Sequence, residues 1–184
     1  AASKPFGFMP FYPGPGLGGH CIPIDPLYLA WKARVYGFEA RFIDLASQIN
    51  SDMPDYVADR TARALNRSGK AVKGSKILII GIAYKRDVTD MRESPAFEVF
   101  HKLKERGAGI SYHDPFVPTV KLNGQILKSV KLTAAALKDK DCVLILTDHS
   151  NIDYQFIVEN SKFIFDTRNA LRHIYTNRDK IERL

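Results

Sequence analysis

The sequence predicts an α/β fold: an open, mostly parallel sheet preceded by a helical segment. Three observations carry this. The runs Lys76-Ile77-Leu78-Ile79-Ile80-Gly81-Ile82-Ala83 and Asp141-Cys142-Val143-Leu144-Ile145-Leu146 are continuous, apolar and of strand length, as in parallel strands buried on both faces. Amphipathic stretches of helical spacing alternate with the strand runs. The chain before them is glycine- and proline-rich and then helical, which divides it into a segment of residues 1–73 and an α/β domain of residues 74–184.

In order, residues 1–12 are rich in proline and aromatics (Phe6, Phe8, Phe11, Tyr12). The loop Pro13-Gly14-Pro15-Gly16-Leu17-Gly18-Gly19-His20-Cys21-Ile22-Pro23-Ile24-Asp25-Pro26 follows. Glycine reaches backbone angles closed to other residues and proline fixes its own, so this loop is rigidly specified. Pro26 suits the first turn of a short helix with Asp25 as its cap, and Gly37 ends it. Residues 40–67 read as one long helix, kinked or restarted near Ser51-Asp52-Met53-Pro54. After the first strand, Pro95 to Lys104 is an amphipathic helix and Gly109 to His113 a second strand. Residues 120–132 read as an irregular strand pair and Thr133 to Lys138 as a short helix. Ile152 to Glu159 is helical, and Phe163 to Asp166 is the last strand.

Composition narrows the function classes. The 184 residues carry a net charge of +7. The basic residues are dispersed, without the runs or signatures of a nucleic-acid binder, so a small anion is the better partner. No apolar run is long enough to span a bilayer, and no signal peptide opens the chain. Two cysteines without a disulfide framework fit a reducing cytoplasm. Ala1-Ala2-Ser3-Lys4-Pro5 reads as the interior of a longer chain. His20, Cys21 and Asp25 lack a second pair at zinc-site spacing, so no metal is expected.

Gly14, Gly16 and Gly19 fit G-x-G-x-x-G by spacing, but prolines precede the loop and Cys-Ile-Pro-Ile-Asp-Pro follows it. A dinucleotide fingerprint needs a strand before it and a helix opening inside it. Backbone amides of such a loop can still hold an oxyanion or phosphate oxygen. In an open parallel sheet, ligands bind beyond the carboxyl ends of the strands. There stand Tyr84-Lys85-Arg86-Asp87, His113-Asp114, Asp148-His149 and Arg168-Asn169. The glycine triplet of a complete NAD site is missing after the first strand.

Four motifs occur in order along the chain: Gly18-Gly19-His20-Cys21-Ile22-Pro23-Ile24-Asp25-Pro26, Tyr84-Lys85-Arg86-Asp87-Val88-Thr89-Asp90-Met91-Arg92-Glu93-Ser94-Pro95, Tyr112-His113-Asp114-Pro115 and Phe165-Asp166-Thr167-Arg168-Asn169. Together they resemble the UDP-glucose/GDP-mannose dehydrogenase family. The resemblance implies a Rossmann-like UDP-binding domain. It also implies oxidation of a sugar C6 alcohol to a carboxylate with NAD, whose main binding domain would lie outside this chain. His20 before the cysteine is most similar to the branch acting on UDP-N-acetylglucosamine.

By the same resemblance Cys21 is the nucleophile, with Asp25 assisting proton transfer. Tyr12, Gly14, Gly16, Gly18, Tyr84, Lys85 and Arg168 contact the UDP-sugar, and Arg92 lies near NAD. A thiolate suits this chemistry because it is both a good nucleophile and a good leaving group. The family's arginine upstream of the loop has no counterpart; Lys4 is the cation there and is left unassigned. The helix of residues 40–67 would form a homodimer core. Alternatives are UDP-glucose as substrate, or a UDP-binding or dimerisation module without chemistry. For Cys142, inside an apolar strand, a structural role is expected.

Overall fold

The computed structural model describes residues 12–122 and 124–184. Lys4, Phe6, Phe8 and Phe11 lie outside them. Helix α1 (Asp25–Val35) is followed by the long α2 (Arg41–Arg67). Then come β1 (Lys76–Ile80), α3 (Pro95–Glu105) and β2 (Gly109–His113). An antiparallel hairpin of β3 (Thr119–Leu122) and β4 (Gln125–Lys128) precedes α4 (Ala134–Lys138) and β5 (Cys142–Ile145). Helix α5 (Tyr154–Asn160), β6 (Ile164–Asp166) and β7 (Ile181–Arg183) complete the chain.

The sheet is five-stranded, in the order β2-β1-β5-β6-β7, and every pairing is parallel. Alternate residues of a strand face opposite sides, and β1 fills two cores at once. Ile77 and Ile79 pack with Val57, Leu65, Phe100, Leu103 and Phe165 beneath α2 and α3. Leu78 and Ile80 pack with Leu137, Ile157, Val158 and Ile164 beneath α4 and α5. All four are fully buried, each contributing about 1.5–3 kcal/mol. Side-chain caps start α3, α4 and α5: Ser94 Oγ accepts from Ala96 N, Thr133 Oγ1 from Ala136 N and Asp153 Oδ1 from Phe156 N. Each satisfies one amide that has no partner within its helix.

Three expectations change. Asp25 does not cap α1: Ile24 is the N-cap, and no side chain caps it. The amides of Ile24 and Asp25 both reach the Cys21 carbonyl (3.0 and 2.8 Å), so the helical turn starts earlier and Asp25 is already its first residue. α2 is the one long helix expected and does not restart at Pro54, because a proline removes a single hydrogen bond, the one to the carbonyl of residue 50. The strand pair is a regular hairpin, with Gly124 at φ +77. Finally, β6 is not the last strand; β7 pairs outside it and is too short for any periodicity to register.

The carboxyl-terminal half of α2 buries Val57, Ala58, Thr61, Ala64 and Leu65, and Lys102 of α3 and Arg106 just after it pair with its Asp55 and Asp59. Its amino-terminal half and α1 are different. Tyr28, Trp31, Phe42, Leu45 and Ile49 are all exposed, Phe42 to 88%.

Candidate functional site

Chain order reverses between β1 and β5, since β1 leads on to β2 on one side and β6 follows β5 on the other. The crevice beyond such a reversal is where open α/β sheets bind ligands. The segments leaving β1, β2, β5 and β6 converge there. Among the described residues, three of the four non-glycine residues with left-handed backbone, Asp87, Glu93 and Asn169, belong to this rim. Such conformations persist where surrounding contacts over-determine them.

Asp114 is the buried centre of the rim. Its Oδ2 accepts from Ile82 N (2.7 Å), Ala83 N (3.0 Å) and His149 Nε2 (3.1 Å). Its Oδ1 accepts from Phe116 N (2.8 Å) and Val117 N (3.1 Å). Burial pushes this carboxyl up, but His149 and the backbone amides outweigh it and hold the group below its ordinary value. His149 is fully buried, and its Nδ1 accepts from Asp87 N at 3.0 Å. The ring proton therefore sits on Nε2 and is donated to Asp114.

Asp166 plays a similar part after β6, accepting from the amides of Arg168, Ala170 and Leu171. Asp148 takes Arg86 on one oxygen and Arg168 Nε (3.4 Å) on the other. Two guanidinium groups thus share one carboxylate. Lys85 is exposed and makes no ion pair among the described residues.

The glycine loop is laid across this rim. A Cβ on Gly14 would lie 2.3 Å from the Arg168 guanidinium. One on Gly18 would meet the Glu93 carbonyl oxygen at 2.4 Å and Tyr84 Cβ at 2.9 Å, and Gly19 (φ +90) faces the Tyr84 ring. Gly16 lies against Pro95. Gly19 N donates to the Arg92 carbonyl at 3.0 Å. On the other side Asn50 of α2 clamps Leu17, accepting from its amide (2.6 Å) and donating to its carbonyl (3.4 Å). Two loop amides are thereby engaged by protein acceptors and are not free to hold an anion, which corrects that expectation for Leu17 and Gly19.

Cys21 is exposed, with Sγ 4.0 Å from His20 Nδ1. Arg92 lies close enough for charge coupling to Cys21 and Tyr84. Its guanidinium is held above its ordinary value chiefly by Asp90 and to a lesser degree by those two groups. Cys142 is fully buried, and desolvation pushes its thiol up to about 12. Of the residues picked out from sequence, Gly14, Gly18, Tyr84, Arg92, Arg168 and Cys21 meet at the rim. The side chains of Tyr12, Asp25 and Lys85 are exposed and make no hydrogen bond among the described residues. Asn50 was missed. Its signal was Pro54 four residues on, which leaves the Asn50 carbonyl without a helical partner where Gly16 approaches.

The described residues contain no cluster of His, Cys, Asp or Glu able to hold a metal, and no helix long and apolar enough to cross a membrane. Nor do they form a dinucleotide cradle. The amides following β1, which would face a pyrophosphate in such a cradle, are bonded to Asp114.

The UDP binding domain of the UDP-glucose/GDP-mannose dehydrogenase family matches residues 78–173, and the central domain of that family matches residues 1–52. UDP-N-acetyl-D-mannosamine dehydrogenase of Methanococcus maripaludis is 37% identical over 169 residues, covering 88% of this chain and 37% of that protein. UDP-N-acetyl-D-glucosamine 6-dehydrogenase of Salmonella typhi is 33% identical over 117 residues, covering 64% and 27% respectively. The structure of UDP-D-ManNAc dehydrogenase from Pyrococcus horikoshii superposes with a TM-score of 0.74 at 27% identity, covering 92% of this chain and 39% of that one. The chain thus spans 37% or less of the length of these two curated relatives. On the match across its α/β domain, the chain belongs to the UDP-glucose/GDP-mannose dehydrogenase family.

Proposed function

We propose that this chain supplies the nucleotide-sugar site and the nucleophilic thiol of an NAD-dependent UDP-sugar 6-dehydrogenase acting on a UDP-N-acetylhexosamine of the glucosamine type. The observation that carries this is the loop of Cys21 lying directly on Tyr84 and Arg168. A thiol is thereby mounted beside cations at the mouth of a parallel sheet. Arg168, whose ion pair with Asp148 is long, offers a guanidinium fork for a diphosphate. Lys85 and Tyr84 flank the sugar, and Tyr12, Gly14, Gly16 and Gly18 line the approach.

Cys21 thiolate adds to the C6 aldehyde and forms a C–S bond. The resulting thiohemiacetal carbon then loses its hydrogen as hydride to become a thioester. Water cleaves the C–S bond, releasing the carboxylate and restoring the thiolate. Arg92 stands within electrostatic reach of the thiol, and Asp25, one turn away at the start of α1, serves the proton transfers through water. NAD takes up hydride in this family. Of its contacts only Arg92 is offered here, and the chain alone is expected to bind UDP-sugar without turnover. A reducing cytoplasm suits the free thiol. The exposed apolar face of α1 and the first half of α2 supports a homodimer through α2.

Alkylation by iodoacetamide tests the reading. Cys21 should react in the folded chain faster than in the denatured chain, and UDP should slow it. Equal rates with no protection by UDP would overturn the catalytic role. Competition of UDP-N-acetylglucosamine, UDP-N-acetylmannosamine and UDP-glucose for the same site, by calorimetry, tests the sugar.

A further inference from the structure

The loop that carries Tyr84 and Lys85 is held from one side by three consecutive residues that follow β5. Asp148 pairs with Arg86, His149 Nδ1 accepts from the Asp87 amide at 3.0 Å, and the Ser150 amide donates to Asp87 Oδ1 at 2.8 Å. Asp87 itself has φ 59, a left-handed backbone that costs roughly 1–2 kcal/mol in a residue with a Cβ and needs such contacts to persist. His149 has no exposure and touches no solvent. Its other nitrogen is anchored on Asp114 at 3.1 Å, and its ring lies against Phe116 with centroids 4.9 Å apart. Thr147 Oγ1 donates to the Ala83 carbonyl at 2.7 Å, and the Tyr154 hydroxyl donates to the His149 carbonyl at 3.1 Å. Together these bonds pin one loop to the other.

We infer that His149 is a positioning residue for nucleotide-sugar binding: as a neutral Nε2–H imidazole it ties the Asp87 turn to buried Asp114 and so sets where Lys85 and Tyr84 stand. The inference rests on the proposal that those two residues contact the UDP-sugar. A histidine is suited to the task because its two nitrogens, one donor and one acceptor, lie on opposite sides of a rigid ring. The ring couples an amide of the Asp87 turn to a carboxylate of the core in one step. Lys85, exposed and without an ion pair among the described residues, is the side chain whose placement depends most on the turn beneath it.

The two halves of the imidazole can be removed separately. His149→Asn keeps an acceptor near the Nδ1 position and loses the donor to Asp114. His149→Gln keeps a donor near Nε2 and loses the acceptor for the Asp87 amide. If His149 ties the turn to Asp114, calorimetry with UDP should find both variants about tenfold weaker than the wild type, since each breaks one end of the tie. If the histidine only satisfies Asp114, the Gln variant, which keeps that bond, binds within about threefold of the wild type. A second pair keeps the test open should either core variant fold poorly. Asp87 is exposed, and Asp87→Ala should weaken UDP about tenfold, whereas Asp87→Asn, which keeps the acceptor for Ser150 and tolerates left-handed backbone, should restore it. Hydrogen exchange should quicken in residues 84–87 of the weak binders and stay unchanged in β1 and β5. UDP affinity unaltered in Asp87→Ala and His149→Gln, with wild type binding UDP normally, overturns the inference alone. Failure of the wild type to bind UDP overturns the reading of the site together with it.

Discussion

Asp114→Asn replaces one oxygen by an NH2 group of nearly the same shape, yet it should be among the most damaging polar substitutions in the chain. Oδ1 accepts two amides and Oδ2 accepts two amides and the His149 ring. Whichever way the Asn amide turns, its NH2 faces at least two donors that then have no acceptor. A buried donor left unpaired costs about 1–3 kcal/mol, so the loss is ~2–6 kcal/mol. At roughly 2–4 °C per kcal/mol for a chain of this size, a 4 kcal/mol loss lowers the Tm by about 8–16 °C. The pH dependence has a definite sign. Burial raises the Asp114 carboxyl, but His149 and the amides more than offset it, so its folded value is depressed. A depressed carboxylate stabilises fully above its unfolded value, near 3.9, and that contribution disappears as pH falls through the folded value. The gap between wild type and variant should therefore be widest near neutral pH and close in acid. Urea unfolding of both proteins across pH measures it. A loss of less than about 1 kcal/mol at neutral pH, or a gap that widens in acid, would refute the reasoning.

Other outcomes follow from the same geometry. Native alkylation should modify Cys21 and spare Cys142, whose thiol burial pushes up to about 12; mass spectrometry finding both modified in the folded chain would contradict the burial. Gly18→Ala places a Cβ 2.4 Å from the Glu93 carbonyl oxygen, so the loop must lift; UDP protection of Cys21 should vanish while the melting of the sheet changes little. Gly37→Ala is its control, with a left-handed φ of +79 but open space around it: it should cost about 1 kcal/mol and leave UDP protection intact. Phe165→Ala, in the core beneath α2 and α3, should cost about 3–5 kcal/mol by calorimetry or chemical unfolding.

Most of the sheet was legible because its strands bury both faces. A run such as Ile77-Leu78-Ile79-Ile80 has no solvated side, so composition alone marks it. β7 was not, because Ile181-Glu182-Arg183 is an edge strand of mixed polarity whose pairing depends on β6 being there first. The start of α1 was misjudged because the rule for caps looks to side chains, whereas here the Cys21 carbonyl gathers the first two amides. The rim residues of the site could be placed from strand ends alone. Their partners could not: Arg86 and Arg168 reach Asp148 across 62 and 20 residues of sequence, and Asn50 reaches Leu17 across 33. No local pattern encodes such pairs, which exist only once the sheet order is set.

The glycines of the Cys21 loop change meaning in that light. Read alone, they look like a phosphate cradle, in which missing side chains free the amides. Here they serve close approach instead. Gly14 makes room for the Arg168 guanidinium, Gly18 for the Glu93 carbonyl and Gly19 for the Tyr84 ring, while the amides of Leu17 and Gly19 are bonded to Asn50 and Arg92. On the proposed reading, anion recognition falls to side chains, Arg168 and Lys85 above all, and the loop's task is to fix the thiol relative to them. Any Cβ added at Gly14 would displace the very guanidinium proposed to hold the diphosphate. A single methyl there is thus expected to separate the thiol from the nucleotide site without touching either group's chemistry.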